Sequence, residues 1–207
     1  MSKVSLKWIT PNAEKEILYI ARVSSPNQDS EQTGLIRYLI AHRHWSPFEM
    51  ANFCLEIETS RAISAQILRH RSFSFQEFSQ RYAEVISIES YNPRRQDTKN
   101  RQSSWDDLSH EDKLWWLQTE SDIYVRSHNA YQEALKRGIS KESARFLLPM
   151  ATKTKLYMNG TIRSWIHYFQ ERISPDAQLE HREIALQGQS IFKKELPIIS
   201  AALAWTD

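Results

Sequence analysis

The chain has 207 residues, 41% of them hydrophobic and 25% charged, with a formal net charge of +2. That length suits one domain, 1–207, and no apolar run reaches the roughly 18 residues a membrane span needs. A charge so near neutral does not call for bulk nucleic-acid binding, and a lone cysteine, Cys54, excludes an internal disulfide and a thiolate metal cluster.

The opening "MSKVSLKWIT" lacks the apolar block of a secretion signal, so a cytoplasmic location is expected. "KVSLKWI" alternates as a strand, and "NAEKEILYIARV" has helical spacing. "SEQTGLIRYLIAHRH" reads as a second helix that the Pro47 region breaks. "ANFCLEIETS" alternates again, with Phe53, Leu55 and Ile57 on one face and Asn52, Cys54, Glu56 and Glu58 on the other. Ser60 is placed to cap the helix "RAISAQILRH". "AEVISIES" is a further expected strand, followed by "YNPRRQDTKNRQSSWDD", which has no periodicity and reads as a mobile polar loop near 93–110. Ser109, with Asp112 three residues on, opens a long helix that stops at Gly138. Ser140 starts a short helix ended by Pro149, and "KTKLYM" is a weak strand. Asn159-Gly160 reads as a turn, after which Thr161 caps "IRSWIHYFQ" with an apolar stripe of Ile162, Trp165, Ile166 and Phe169. Ser174-Pro175 reads as the start of a last helix. The pattern predicts an α+β fold, with helices packed on a central sheet.

One stretch fits no core strand and no solvated loop: "RHRSFSFQEFSQRY", residues 69–82. Guanidinium forks bind phosphate and carboxylate, hydroxyls add neutral donors, and aromatic rings offer surfaces to flat heterocycles. Together these suit a nucleotide. Gln66 and Arg69 share one helical face, and a glutamine amide can read a base edge. The four glycines, at 34, 138, 160 and 188, form no G-x-G turn, so a dinucleotide here would need a non-Rossmann site. The residue types alone also fit a helix-end cation and an ordinary polar surface, or a nucleic-acid-binding module that uses the 69–81 and 94–101 cations.

Spacing adds what composition lacks. Arg69-His70-Arg71, seven residues, then Ser79 and Arg81-Tyr82 resembles the signature of the flavin-dependent thymidylate synthases. "ARVSSP" (21–26), "HWSPFEM" (44–50), "ESARFLLP" (142–149), "TIRSWIHYFQER" (161–172) and "AQLEHREIA" (177–185) resemble blocks of that family in its order. The resemblance implies a homotetrameric enzyme with shared active sites and a non-Rossmann flavin fold. It would methylate dUMP to dTMP with methylenetetrahydrofolate as carbon donor and NADPH reducing a bound FAD. It places Ser46, Arg69, His70, Arg71 and Glu77, with Thr161, Ile162, Arg163 and His167, at FAD. It places Gln66, Arg69, Glu77, Phe78, Ser79, Gln80, Arg81, Arg145 and Arg172 at dUMP, and it makes Arg172 the catalytic residue. Gln76 and His167 stand where asparagine is common in the family, and Met50 where histidine occurs. The histidines form no H-E-x-x-H, the total charge is near neutral and no long apolar run occurs, so no metal, no nucleic acid and no membrane partner is expected. His42-Arg43-His44 is a poor metal spacing on a helix.

The implied chemistry is testable against the residues. Making uracil C5 nucleophilic needs either a thiol on C6 or charge stabilisation of the ring. Cys54 sits mid-strand and in none of these motifs, where a free cysteine behaves as a small hydrophobe. A permanently charged guanidinium near the pyrimidine favours the ring anion without acting as a base. For Ser79, no histidine can be assigned as an activating base from sequence, so it is expected to bind substrate. Arg145 has an ordinary alternative, a helix-surface pair with Glu142.

Overall fold

A computed structural model of the chain describes residues 2–84 and 87–205. Four antiparallel strands form the sheet in the order β1 (Lys3–Ile9), β2 (Asn52–Ser60), β6 (Lys153–Thr161), β3 (Ser74–Glu77). Late in sequence, β6 inserts between β2 and β3, so α3 (Arg61–Ile67) must carry the chain from β2 across to the far side of β6. The site-forming turn at 68–72 is the end of that crossover.

Alternation in β2 places Phe53, Leu55 and Ile57 in the core, where Leu156 and Met158 of β6 join them. Against this face lie α6 (Ile162–Arg172) and α7 (Leu179–Glu195), with α1 (Ala13–Ala21), α2 (Gly34–Ala41) and α8 (Pro197–Ala202) at one end. The expected stripe of α6 is buried throughout: Ile162, Trp165, Ile166 and Phe169. Trp165 is fully enclosed and donates its indole N–H to the Phe53 carbonyl at 2.7 Å, so neither its area nor its polar atom is wasted.

Caps follow the local chemistry. Ser60, Ser109 and Thr161 each accept from the backbone N–H three residues on, at Ile63, Asp112 and Ser164. The long helix α4 (His110–Lys136) gives way to Gly138 at φ +80°, a backbone state that a side chain would strain. Beyond it lie α5 (Lys141–Ala144) and a 3-10 turn, Arg145–Leu147.

Three expectations need correction. Asn159-Gly160 is no turn: β6 runs through both, paired with Cys54 and Phe53 of β2. A Cβ on Gly160 would stand 2.4 Å from the Phe73 ring, so the glycine is there to let that ring lie flat on the strand. The last long helix begins at Leu179, not at Ser174-Pro175; Ser174 instead holds a local turn by accepting from the Asp176 N–H. Within the stretch read as an unstructured loop, β4 (Arg95–Gln96) pairs with β5 (Ser104–Trp105) as a short hairpin. Of the strand expected over 83–90, Val85 and Ile86 lie outside the described residues, and Ile88 makes one bridge, to Thr152.

Candidate functional site

Two chain features build the site: the turn that ends α3 and the solvent-facing side of α6. Helix α3 buries Ile63 and Ile67, then stops so that Phe73 can enter the core. The intervening turn exposes Arg69 and Arg71 and half-buries His70. On α6 the residues opposite the buried stripe are Arg163 and His167, four apart and both exposed, while Arg172 at its end is half-buried.

Arg172 Nε donates to His70 Nε2 at 2.9 Å. A guanidinium has no lone pair to offer, so Nε2 must accept and the imidazole is neutral, with its proton on Nδ1. Burial drives the His70 pKa down to about 4, and the charges of Arg172 and His167 push the same way. Behind it, burial first and Arg172 second take buried His181 down to about 3; its Nε2 meets the Tyr168 hydroxyl at 3.1 Å. The Tyr168 hydroxyl is itself pushed above its ordinary range by burial. Arg172 therefore leans on neutral rings. One of its five N–H groups is used by His70, and its charge is undiminished by that partner.

On the same helix, but with neither His70 nor Arg172 in its lining, a cleft of about 480 Å³ is bounded by Trp45, Glu49, Ser72, Arg163, Ser164 and His167, among others. Arg163 is clamped by Glu49 at 2.5 Å, from the 3-10 turn Ser46–Glu49 that the "SPFE" sequence forms. A guanidinium, an imidazole, hydroxyls and an indole around one cleft fit a ligand that combines anionic groups with flat rings. That donor set fits part of a flavin dinucleotide.

Other expected residues are placed elsewhere. Glu77 is turned to Arg61 at 2.5 Å and accepts from Ser64 and Thr154 hydroxyls. Arg81 pairs with Glu142 at 3.3 Å, which takes up the carboxylate once considered for Arg145; the Arg145 guanidinium lies over the Phe146 ring. Ser79 Oγ accepts from the Arg81 N–H, and Phe78 donates its N–H to the Lys155 carbonyl. The Gln80 amide nitrogen is buried with no hydrogen-bond partner. Thr161 and Ile162 serve as the cap and first buried residue of α6, and Ser46 starts the 3-10 turn. Among the described residues no cluster of three or more His, Cys, Asp or Glu side chains stands ready for a metal, and no helix is long and apolar enough to cross a membrane.

Sequence reasoning missed Arg61, Glu49, His181 and Tyr168 as neighbours of these groups. Glu49 lay inside a quoted motif, and an acid at the end of "SPFE" was the available signal. His181 lay inside another, "AQLEHREIA", but nothing local ties it to Tyr168.

The family model described as thymidylate synthase complementing protein matches residues 5–198. A flavin-dependent thymidylate synthase of Synechocystis sp. is 54% identical over 190 residues, which is 91% of this chain and 88% of that one. The chain belongs to the flavin-dependent thymidylate synthase family. Membership makes it an enzyme, a flavin-dependent methyltransferase. A probable flavin-dependent thymidylate synthase of Paramecium bursaria Chlorella virus 1 is 51% identical over 197 residues, 93% of this chain and 91% of the other. Among solved structures, a UMP/dUMP methylase, PolB, from Streptomyces cacaoi bound with 5-Br dUMP superposes with a TM-score of 0.86. It is 26% identical and covers 99% of this chain and 95% of its own. In this member of the flavin-dependent thymidylate synthase family, His70 of Arg69-His70-Arg71 stands against Arg172, which ends α6.

Proposed function

We propose that this chain converts dUMP to dTMP, taking its carbon from methylenetetrahydrofolate and its electrons from NADPH through FAD. The observation that carries the reading is the Arg172–His70 bond, which holds a guanidinium on neutral imidazole at the end of the helix that lines the cleft. Methylenetetrahydrofolate brings carbon at the oxidation level of formaldehyde, so a methyl group requires two further electrons. FAD, when bound, supplies that redox chemistry.

The chain's own residues do the rest. Arg163 and His167, with Arg69, His70 and Arg71, would hold FAD; Ser46, Glu77, Thr161 and Ile162 are the remaining flavin positions of the reading. Gln66, Arg69, Glu77, Phe78, Ser79, Gln80, Arg81, Arg145 and Arg172 would hold dUMP. Arg172, oriented by His70, faces the pyrimidine with its remaining N–H donors and stabilises negative charge on the ring, which raises electron density at C5. One pKa unit of such stabilisation is worth about 1.4 kcal/mol. No base step is asked of the guanidinium. Arg81 and Arg145 associate with α5, while His70 and Arg172 meet at the end of α6. We take the site to be completed between copies of the chain, in a homotetramer working in the cytoplasm.

The test is a visible spectrum of the purified protein, bleaching by NADPH, and release of tritium from C5 of labelled dUMP when methylenetetrahydrofolate is added. A colourless protein that cannot take up FAD, or one that leaves the C5 tritium on dUMP and the ring unmethylated with every reagent present, would remove the reading. The PolB likeness favours a second substrate, UMP, so the same assay is run with the ribonucleotide; faster turnover of UMP would replace dUMP in the reading.

A further inference from the structure

The segment read as an unstructured loop is tied to the nucleotide side of the site by an unbroken chain of polar contacts. Arg94, just before β4, grips Glu180 with both ends of its guanidinium: NH1 to Oε1 at 2.6 Å and NH2 to Oε2 at 3.0 Å. Its Nε donates to the Ser104 hydroxyl of β5 at 2.9 Å, so the same side chain also closes the hairpin. The ion pair is well buried, with the side chains 16% and 8% exposed. Burial pushes the Glu180 carboxyl up, but hydrogen bonds from Arg94, its own backbone N–H and Gln178 outweigh it and hold the group below its ordinary range. Glu180 is therefore a carboxylate, and it lies in the first turn of α7, where negative charge is favoured.

A carboxylate can only accept, and that fact propagates. Gln178 must turn its amide nitrogen to Glu180 Oε2, which it meets at 2.8 Å. Its carbonyl is then the group left to face Gln66, and an accepting oxygen requires a donor. The Gln66 amide nitrogen meets it at 2.5 Å. Without the charge at Glu180 each amide would be equally content reversed. With it, Gln66 holds its carbonyl and remaining N–H in one order. A uracil ring held in one place by its other contacts offers the amide N3–H and one flanking carbonyl in a set order, and only one of the two amide orders then matches it.

We propose that Arg94, Glu180 and Gln178 are positioning residues that fix the donor–acceptor polarity of the Gln66 amide, so that docking of the 95–105 hairpin and nucleotide binding are coupled. The inference rests on the dUMP reading above and goes beyond it, since none of these three residues is among the expected contacts.

The experiment is calorimetric titration of FAD-loaded protein with dUMP, with flavin content and thermal midpoint recorded for each variant. Glu180→Gln keeps the side chain's size but lets its amide face Gln178 either way. Gln178→Met breaks the relay at an exposed position and leaves the buried ion pair intact, which keeps the test open if Glu180→Gln folds poorly. Each is made alone and on a Gln66→Met background. One fixed hydrogen bond lost corresponds to a weakening of about five- to tenfold. We expect that loss of dUMP affinity in both single variants, full flavin content in Gln178→Met, and no further loss when Gln66 is already methionine. A dUMP dissociation constant within twofold of the parent in Gln178→Met, or a loss that persists in full on the Gln66→Met background, overturns the proposal even if the midpoint falls. If the parent protein takes up FAD yet binds no dUMP, the nucleotide reading fails first and this inference with it.

Discussion

Arg172 and His70, 102 residues apart, are joined by a 2.9 Å hydrogen bond in which the arginine donates from Nε. The bond holds the guanidinium through Nε, and among the described residues its two terminal amino groups make no hydrogen bond. Lysine in this place would keep the charge but lose the fork and the Nε contact. Arg172→Lys is expected to retain flavin and lose dTMP formation by about 100-fold, the scale seen when one preorganised donor is removed from a developing charge. Single-turnover dTMP formation with reduced enzyme measures this; parental rates in the variant would take Arg172 out of the mechanism.

Burial of the same histidine makes stability depend on pH. His70 titrates near about 4 in the fold against 6.5 for a free imidazole, chiefly through burial. As pH falls, the unfolded chain takes up the proton first, so this contribution is complete above about 6.5 and is lost progressively from there to about 4. His181 extends the window to about 3. The groups acting on His70 are Arg172, His167 and Arg69, which oppose its charge, and Glu171, which favours it; Arg172 and His70 oppose charge on His181. Denaturant midpoints should therefore drop between pH 7 and pH 4.5, and His181→Gln should flatten the slope. A midpoint that stays level or rises over that range contradicts the assignment of neutral imidazoles.

How much of this was legible depended on distance along the chain. The three caps at Ser60, Ser109 and Thr161 are decided within three residues, and the stripe of α6 within eleven, so residue order is enough for both. The shared face of Arg163 and His167 was readable in the same way, but the helix expected to run to His70 stops at Ile67, which puts Arg69 in the turn beyond it rather than on a helical face with Gln66. Nothing local reports that His70 meets Arg172, that Glu77 meets Arg61, or that Arg94 reaches Glu180 across 86 positions. The strand–helix junction at 153–162 misled for a further reason: Asn-Gly has turn propensity, and tertiary packing overrode it.

That override can be tested at Gly160. A Cβ there would stand 2.4 and 2.6 Å from two atoms of the Phe73 ring, which also packs edge-on to Trp165 with centroids 4.9 Å apart. Both rings are buried, so Gly160→Ala is expected to cost about 1–3 kcal/mol, seen as a lowered thermal midpoint. Adding Phe73→Leu should recover part of the loss by making room for the methyl group. A single variant as stable as the parent would mean that the ring moves freely and that the glycine answers some other demand.

Cys54 offers the remaining test of how the pyrimidine is activated. It sits mid-strand in β2 opposite Trp8 and Asn159, 4% exposed. Burial raises its thiol pKa, with Lys7 offsetting part of that, so the thiolate a nucleophile requires is disfavoured. A sulfur in this position packs; it is not poised to attack C6. Cys54→Ser should cost about 1 kcal/mol for the buried hydroxyl and leave dTMP formation within about twofold of the parent, measured at equal flavin content by chromatography of the nucleotide products. Activity abolished in a folded, flavin-bearing Cys54→Ser protein would mean that a covalent thiol route operates and that charge from Arg172 is not sufficient.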